Sequence, residues 1–483
     1  MKDLLDKLRT YKKPVLGIAV SAFTRTGPAF LLPNYSIICL QNTSDLEAIR
    51  GKCRVYCLQT DFKINLAKLK KQNTSSIMKI PQVSLLLKSL AKGTSLLVYK
   101  STNKVEKVCH KLGIKILASP CFVRDPFEDK KEFRILGRKA GLTMIPGETL
   151  LLDDFTSSQY EVFKRKYGQK LVFQLPDCKI GGGVGTFFVK TRDEWREFKA
   201  YVIRRRTEGK ALIWVNVTKY IAGTAASITG CVTKDAVLCG LVQTQLIDIP
   251  EATAFKGRSG VWCGHDWGFK LFSAKIQRRG EKLCRTLGQF MGQKGYKGVF
   301  GIDLAVDEKN EEVWPVECNS RYTGAFPVYS MMQDIYGEPS FDVFHLLEYL
   351  EINYKIDFPK IQEMYRQPKT AAHVVMHNQE RKWVKVDGEI KGGVYKMEKG
   401  KLVWQRAGFS LQDLEDKEEF CLVERAPYKA KILKPGERLV RVLFKDKIAL
   451  SSNKLNDWAS AVCKKIYRAY QLQAIPSRTK KKH

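Results

Sequence analysis

Short apolar runs alternate with mixed, helix-like stretches over the first quarter of the chain. Residues 15–20, 36–40, 55–58 and 95–99 are strand candidates, and the intervening segments, such as 104–111, suit helices. This alternation predicts a small α/β domain with a mainly parallel sheet over residues 1–122. A helix is predicted over 129–140, closed by Gly141. The pattern then changes to strands at 171–175, 186–189 and 211–217, followed by a long helix over 274–294. A hairpin pairs 299–306 with 313–319 across the polar turn 307–312. Residues 366–450 turn β-rich, with strands at 382–386 and 438–444. Leu455, Trp458, Val462, Ile466 and Tyr470 mark one face of a terminal helix, and the basic tail 477–483 is expected to be disordered.

The hairpin carries the most informative pattern. Side chains alternate between the two faces of a strand. If Asp303 opposes Glu317, then Ile302 opposes Cys318, Leu304 opposes Val316 and Val306 opposes Trp314. One face is then apolar and the other carries Asp303, Glu317 and Asn319. A slip of one residue would mix the faces. Pro315 removes one ladder donor, which predicts an edge strand or a local irregularity.

Composition narrows the class. A chain of 483 residues holds about three domains. The segmentation read here is 1–122, 123–350, 366–450 and a terminal helix with its tail over 453–483. Hydrophobic content of 44% supports sizeable cores. The formal charge of +33 favours polyanionic partners: nucleotides, nucleic acid or an anionic membrane surface. The basic residues are spread along the chain, however, and no nucleic-acid motif is present, so nucleic acid is disfavoured. Thirteen scattered cysteines make no disulfide framework and no paired zinc motif. They read as reduced thiols in a cytoplasmic protein. His373 and His377 are four apart on a predicted strand, too far for one metal. No apolar run reaches the length of a membrane span, and no secretion signal begins the chain.

Two segments carry candidate chemistry. Asp303, Glu317 and Asn319 offer hard oxygen ligands to a divalent cation, and Arg321 offers a forked donor to a phosphate. Lys179, Gly181, Gly182, Gly183 and Gly185 lie in a loop between two strands. Four glycines there let backbone amides approach phosphate oxygens. A strand–loop–strand is not a Walker P-loop, which needs a helix next. A solvated hairpin face and a flexible loop are the plain structural alternatives.

The order of these elements resembles the ATP-grasp superfamily, in its carbamoyl-phosphate-synthetase-like and biotin-carboxylase-like branch. The resemblance covers roughly residues 1–350 and is most specific at Asp303 with Glu317-Cys318-Asn319-Ser320-Arg321. It implies two α+β subdomains gripping ATP, after an α/β lead-in and before a small β-rich C-terminal domain. It further implies Mg²⁺ (or Mn²⁺) on Asp303, Glu317 and Asn319, with Arg321 on phosphate or the reacting carboxylate. Gly181, Gly182, Gly183 and Gly185 would close over the phosphates, and Lys130 would reach them. Lys219, Tyr220 and Ile221 would run past the adenine. Three positions depart from the pattern. Gln174 stands where a phosphate-binding Lys or Arg is usual, with Lys179 as compensation. Lys219 replaces a usual Glu, and Ala226 replaces an acidic residue expected at the ribose. Arg258, His265 and Asp266, with Trp267 and residues 323–327, are the candidate substrate pocket. The activity implied is ATP-dependent ligation of a carboxylate to an amine (or thiol). A non-catalytic ATP-binding module is the alternative, motivated by Gln174, Lys219 and Ala226. An RNA-binding protein is a weaker one, and a homodimer is compatible with either.

Overall fold

Four of the apolar runs and one short strand build a parallel sheet. The strands β1 (Val15–Ala19), β2 (Tyr35–Cys39), β3 (Arg54–Cys57), β4 (Ser95–Val98) and β5 (Lys115–Ile116) lie in the order β3-β2-β1-β4-β5. The order reverses between β1 and β4, the point at which open α/β sheets bind ligands beyond their carboxyl ends. Arg25 follows β1 there, and Tyr99 follows β4. The computed structural model describes residues 2–475 apart from 67, 68, 70, 91, 92, 178–184, 254–259, 271 and 426. The tail 477–483, expected to be disordered, lies outside the described residues.

Helix α1 (Lys130–Lys139) begins where the sequence places it. The Asp129 carboxylate accepts the amides of Lys131 at 2.9 Å and Glu132 at 3.1 Å, two donors the helix cannot use itself. A four-stranded antiparallel sheet follows, in the order β6-β9-β7-β8. Its strands are β6 (Gly147–Leu151), β7 (Leu171–Gln174), β8 (Thr186–Val189) and β9 (Trp214–Lys219). The strand expected at 211–217 starts later than its apolar run. The Ile213 and Trp214 amides donate to the Asp177 carboxylate at 2.7 and 2.8 Å, which pins the approach to β9.

Ten further strands form one sheet, while Val384–Val386, Ile432–Leu433 and Leu472–Ala474 make a separate sheet of three and Ala449–Ser451 and Lys454–Leu455 a sheet of two. The ten are β10 (Thr224–Val232), β11 (Val237–Ile247), β12 (Trp262–Asp266), β13 (Gly298–Asp307), β14 (Glu312–Asn319), β15 (Ala372–His377), β16 (Gly393–Glu398), β17 (Lys401–Arg406), β18 (Phe420–Val423) and β19 (Arg438–Phe444). Their order is β14-β13-β10-β11-β12-β15-β19-β18-β16-β17, and every pair is antiparallel. Five strands from the β-rich C-terminal region thus extend the sheet that holds the hairpin. Helix α2 (Ala274–Gln293) covers one face. Its Leu283, Cys284, Leu287 and Met291 pack with Ile228, Ile302, Leu304 and Val306 of β10 and β13. Helix α3 (Asp457–Ala469) covers the C-terminal half through Val462, Cys463 and Ile466.

The two ends of the chain meet. The Asp45 carboxylate accepts the Glu424 amide at 3.0 Å, and the Tyr428 hydroxyl donates to the Thr43 carbonyl at 3.1 Å. One core cluster includes both Leu4 and Leu443. The described cysteines are all free, and all but Cys53 are buried, as their apolar settings suggest. Among the described residues no helix is long and apolar enough to cross a membrane.

Candidate active site

The face of β10 and β13 turned away from α2 borders a cavity of about 1990 Å³, into which the carboxyl ends of β1 and β4 also open. The hairpin register is the one its apolar pattern predicts as far as the site. Asp303 opposes Glu317, Ile302 opposes Cys318 and Gly301 opposes Asn319. Beyond Asp303 the ladder slips, so that Leu304 opposes Pro315 and not Val316, and Val306 opposes Val313 and not Trp314. The slip falls at Val316, next to the residue without an amide hydrogen, and β14 is an edge strand.

Asp303 and Glu317 form a close carboxyl pair. Burial first, and then the Glu317 charge, push the Asp303 carboxyl well above the usual range. Burial alone would raise Glu317 as well, but Lys130 outweighs it and brings Glu317 down to about 2. The Lys130 ammonium is ion-paired with Glu317. Gln245 donates to Asp303 Oδ1 at 2.8 Å, and Asn319 Nδ2 lies 3.4 Å from Asp303 Oδ2. Two carboxyls that share a proton in the absence of a cation, with an amide beside them, are a hard-oxygen donor set that suits Mg²⁺. Among the described residues no group of three or more His, Cys, Asp or Glu side chains could hold a metal. A cation here would therefore rest on two carboxylates, Asn319 and ligand oxygens, the usual economy of Mg²⁺ sites.

Arg321 is aimed by Asn319 and by two residues that sequence reasoning missed. Its Nη2 donates to Asn319 Oδ1 at 2.7 Å and its Nη1 to the Tyr99 hydroxyl at 2.6 Å. Its Nε lies 3.2 Å from Glu128 Oε1. Glu128 also pairs with Arg124, at 3.0 Å, and with Lys100. Burial would raise this carboxyl, but Arg321, Arg124 and Lys100 together lower it and keep it charged. The Tyr99 ring also faces Arg25, whose guanidinium carbon is 5.5 Å from the ring centroid; that of Arg321 is 4.8 Å away. No local signal marks Tyr99 or Glu128, because each meets Arg321 only through the fold.

The same cavity gathers the residues assigned to the nucleotide. Lys130, Gln174, Gly185, Lys219, Tyr220 and Ile221 all line it. Lys170 lies over the Tyr220 ring at 3.7 Å, and Phe188 meets that ring edge-on at 5.7 Å. The amides of Lys219 and Tyr220 already donate to the carbonyls of Pro146 and Lys170, at 2.9 and 3.3 Å. An adenine would have to use other groups of this segment. Lys179, Gly181, Gly182, Gly183 and Arg258 lie outside the described residues.

Two expectations need correction, both for the same geometric reason. Ala226 does not face the cavity. It sits with Ile228 in the core under α2, and Ala225 and Ser227 are the neighbours on the cavity side. Its lack of a carboxylate therefore says nothing about the ribose. His265 lines the cavity, but Asp266 does not. The Asp266 carboxylate instead accepts four amides: Gly268 at 2.8 Å, Phe269 at 2.6 Å, Ile448 at 2.8 Å and Ala449 at 2.9 Å. It ties β12 to the segment after β19. Successive strand residues point to opposite faces, so each error is one position long.

No protein-family model and no curated protein sequence matches the chain. Solved structures do. An ATP complex of carboxyaminoimidazole ribonucleotide synthase from Aspergillus clavatus superposes with a TM-score of 0.54 at 12% identity, over 95% of this chain and 98% of that one. Biotin carboxylase from Campylobacter jejuni gives 0.59 at 13% identity, over 90% and 88%. Phosphoribosylamine–glycine ligase from Thermotoga maritima gives 0.56 at 12% identity, over 95% and 97%. Likeness across nearly the whole length shows that this chain has the fold of these three enzymes, the ATP-grasp fold.

Proposed function

We propose that the protein is an ATP- and Mg²⁺-dependent ligase that activates a carboxylate as an acylphosphate for attack by an amine or a similar nucleophile. The observation that carries this reading is the Asp303–Glu317 pair with Lys130 and Arg321 around it, at the wall of a cavity of about 1990 Å³. In the reaction a substrate carboxylate oxygen attacks the γ-phosphorus and ADP leaves. The amine then attacks the acyl carbon, phosphate leaves and the amine gives up a proton. Asp303, Glu317 and Asn319 would hold Mg²⁺, which when bound supplies charge neutralisation between phosphate oxygens. The chain's own part is positioning. Lys130 brings a positive charge to the phosphates from the start of α1. Arg321, held by Tyr99, Asn319 and Glu128, presents a fixed guanidinium to phosphate or carboxylate.

The direct test is ADP release with Mg²⁺ and ATP across a panel of carboxylates and amines. Release that depends on one carboxylate supports the reading. Mg-ATP binding with no release for any pair favours the second reading, an ATP-binding module without turnover, for which Gln174 is the specific motive. Gln174 is 8% exposed at the end of β7 and brings no charge to the cavity wall. Gln174→Lys is expected to tighten Mg-ATP binding about tenfold, the effect of one added phosphate contact of ~1.4 kcal/mol. Isothermal titration of both proteins checks this, and equal affinity would remove Gln174 from the phosphate site.

A further inference from the structure

Ser227 is 6% exposed, lines the cavity and sits on β10 directly opposite Asp303. Its hydroxyl oxygen accepts a hydrogen from Gln243 Nε2 at 2.9 Å and lies 3.3 Å from His265 Nε2. The direction of the second bond is set from behind. Arg441, 1% exposed, can only donate, and its Nη1 lies 2.9 Å from His373 Nδ1. That nitrogen must accept, so a neutral His373 carries its proton on Nε2. Nε2 lies 3.2 Å from His265 Nδ1, which must accept in turn. His265 then carries its own proton on Nε2, facing Ser227. Burial and the Arg441 charge keep both rings neutral, with His265 brought down to about 3 and His373 well below its usual value. Gln243 is fixed in the same way. The Trp267 indole, a donor only, binds Gln243 Oε1 at 2.6 Å and leaves the amide nitrogen for Ser227.

Both acceptor positions of the Ser227 oxygen are therefore filled, and its single proton can go to neither partner. Among the described residues Ser227 has no further hydrogen-bond partner. We propose that Ser227 is an obligate hydrogen-bond donor, with its polarity fixed through His265 and His373 by Arg441, and that it receives a proton-free anionic oxygen of a ligand beside Asp303. An ammonium or an amide N–H would be rejected there, because it would bring a second donor to a donor. Within the ligase reading, on which the identity of the ligand rests, that oxygen belongs either to the substrate carboxylate or to the γ-phosphate of ATP.

Two measurements test the proposal. In ¹⁵N-histidine spectra of the wild-type protein, His265 and His373 are expected to be neutral between about pH 6 and pH 8 and protonated on Nε2. A proton on Nδ1 of either ring, or an imidazolium, overturns the relay without reference to any ligand. The second measurement compares Ser227→Ala and Ser227→Thr with wild type for Mg-ADP, for the β,γ-imido analogue of ATP, and for simple carboxylates in competition with turnover. Loss of a hydrogen bond to a charged acceptor is expected to weaken one ligand by about 10- to 100-fold in the alanine variant. Threonine, which keeps the donor, should recover affinity to within about threefold. A loss confined to the imido analogue identifies the phosphate, and a loss confined to carboxylates identifies the substrate. Unchanged affinity for both overturns the proposal. If Mg-ADP fails to bind wild type, the ligase reading falls, while the tautomer measurement still decides the relay.

Discussion

Glu317→Gln is expected to leave the chain folded and to stop ATP consumption. The substitution keeps the shape of the side chain and its place opposite Asp303. It removes the charge that pairs with Lys130 and one of the two carboxylates available to a divalent cation. Metal-borne neutralisation of transferring phosphate is worth several kcal/mol, so turnover should fall by about 10³-fold or more. The fold should survive because, without the Glu317 charge, Asp303 can ionise and pair with Lys130 in its place. A coupled ADP-release assay and a thermal melt, run on the same preparation, check the two halves. Turnover within tenfold of wild type would sink the assignment of the pair to Mg-ATP. A collapsed melting curve would instead make the pair a structural element.

The second large effect concerns stability. Glu424 is 4% exposed and binds Arg441 Nε at 2.7 Å and Arg438 Nη1 at 3.1 Å. Glu424→Gln leaves the almost fully buried Arg441 without its counter-charge. Breaking a buried pair from one side costs about 3–5 kcal/mol, more than removing both charges would. Denaturant unfolding should show a loss of that order. The pH dependence has a definite sign. Burial would raise the Glu424 carboxyl, but Arg441, Arg438 and Arg425 bring it down from 4.5 to about 2. Its folded value is below its unfolded one, so its contribution is complete above pH 4.5 and is lost as the pH falls toward 2. The variant should show a flatter acid-unfolding profile across that window. An unchanged profile would mean that Glu424 is not the group that titrates there.

How much of this was legible in the chain differs between residues for physical reasons. Asp303, Glu317 and Asn319 could be placed on one face because a strand alternates with a period of two and its other face is apolar. That logic ended at Pro315, where a missing amide lets the ladder slip, and a slip leaves no trace in hydrophobicity. The parallel lead-in was legible because buried strands are near-continuous apolar runs. The run at 211–217 was displaced because the Asp177 side chain, from a different segment, holds the amides of Ile213 and Trp214. Asp266 shows the opposite failure. It stands beside a histidine and a tryptophan that do belong to the polar network, yet it lies on the other face of the same strand. The relay behind Ser227 draws one residue from each of β10, β12, β15 and β19. Each is ordinary in its own segment, and only the pairing of those strands brings them together.

The contact between the Asp45 carboxylate and the Glu424 amide spans 379 positions. At about 5–20 residues per second, a ribosome would take roughly 20 to 75 seconds to supply the second partner after the first. The parallel sheet is thus made early and sealed late. For that interval the nascent chain presents the open edge of an unfinished core, whose last apolar pieces, Val423 and Leu443, are still unmade. Synthesis order, more than final stability, sets how long this core stays open.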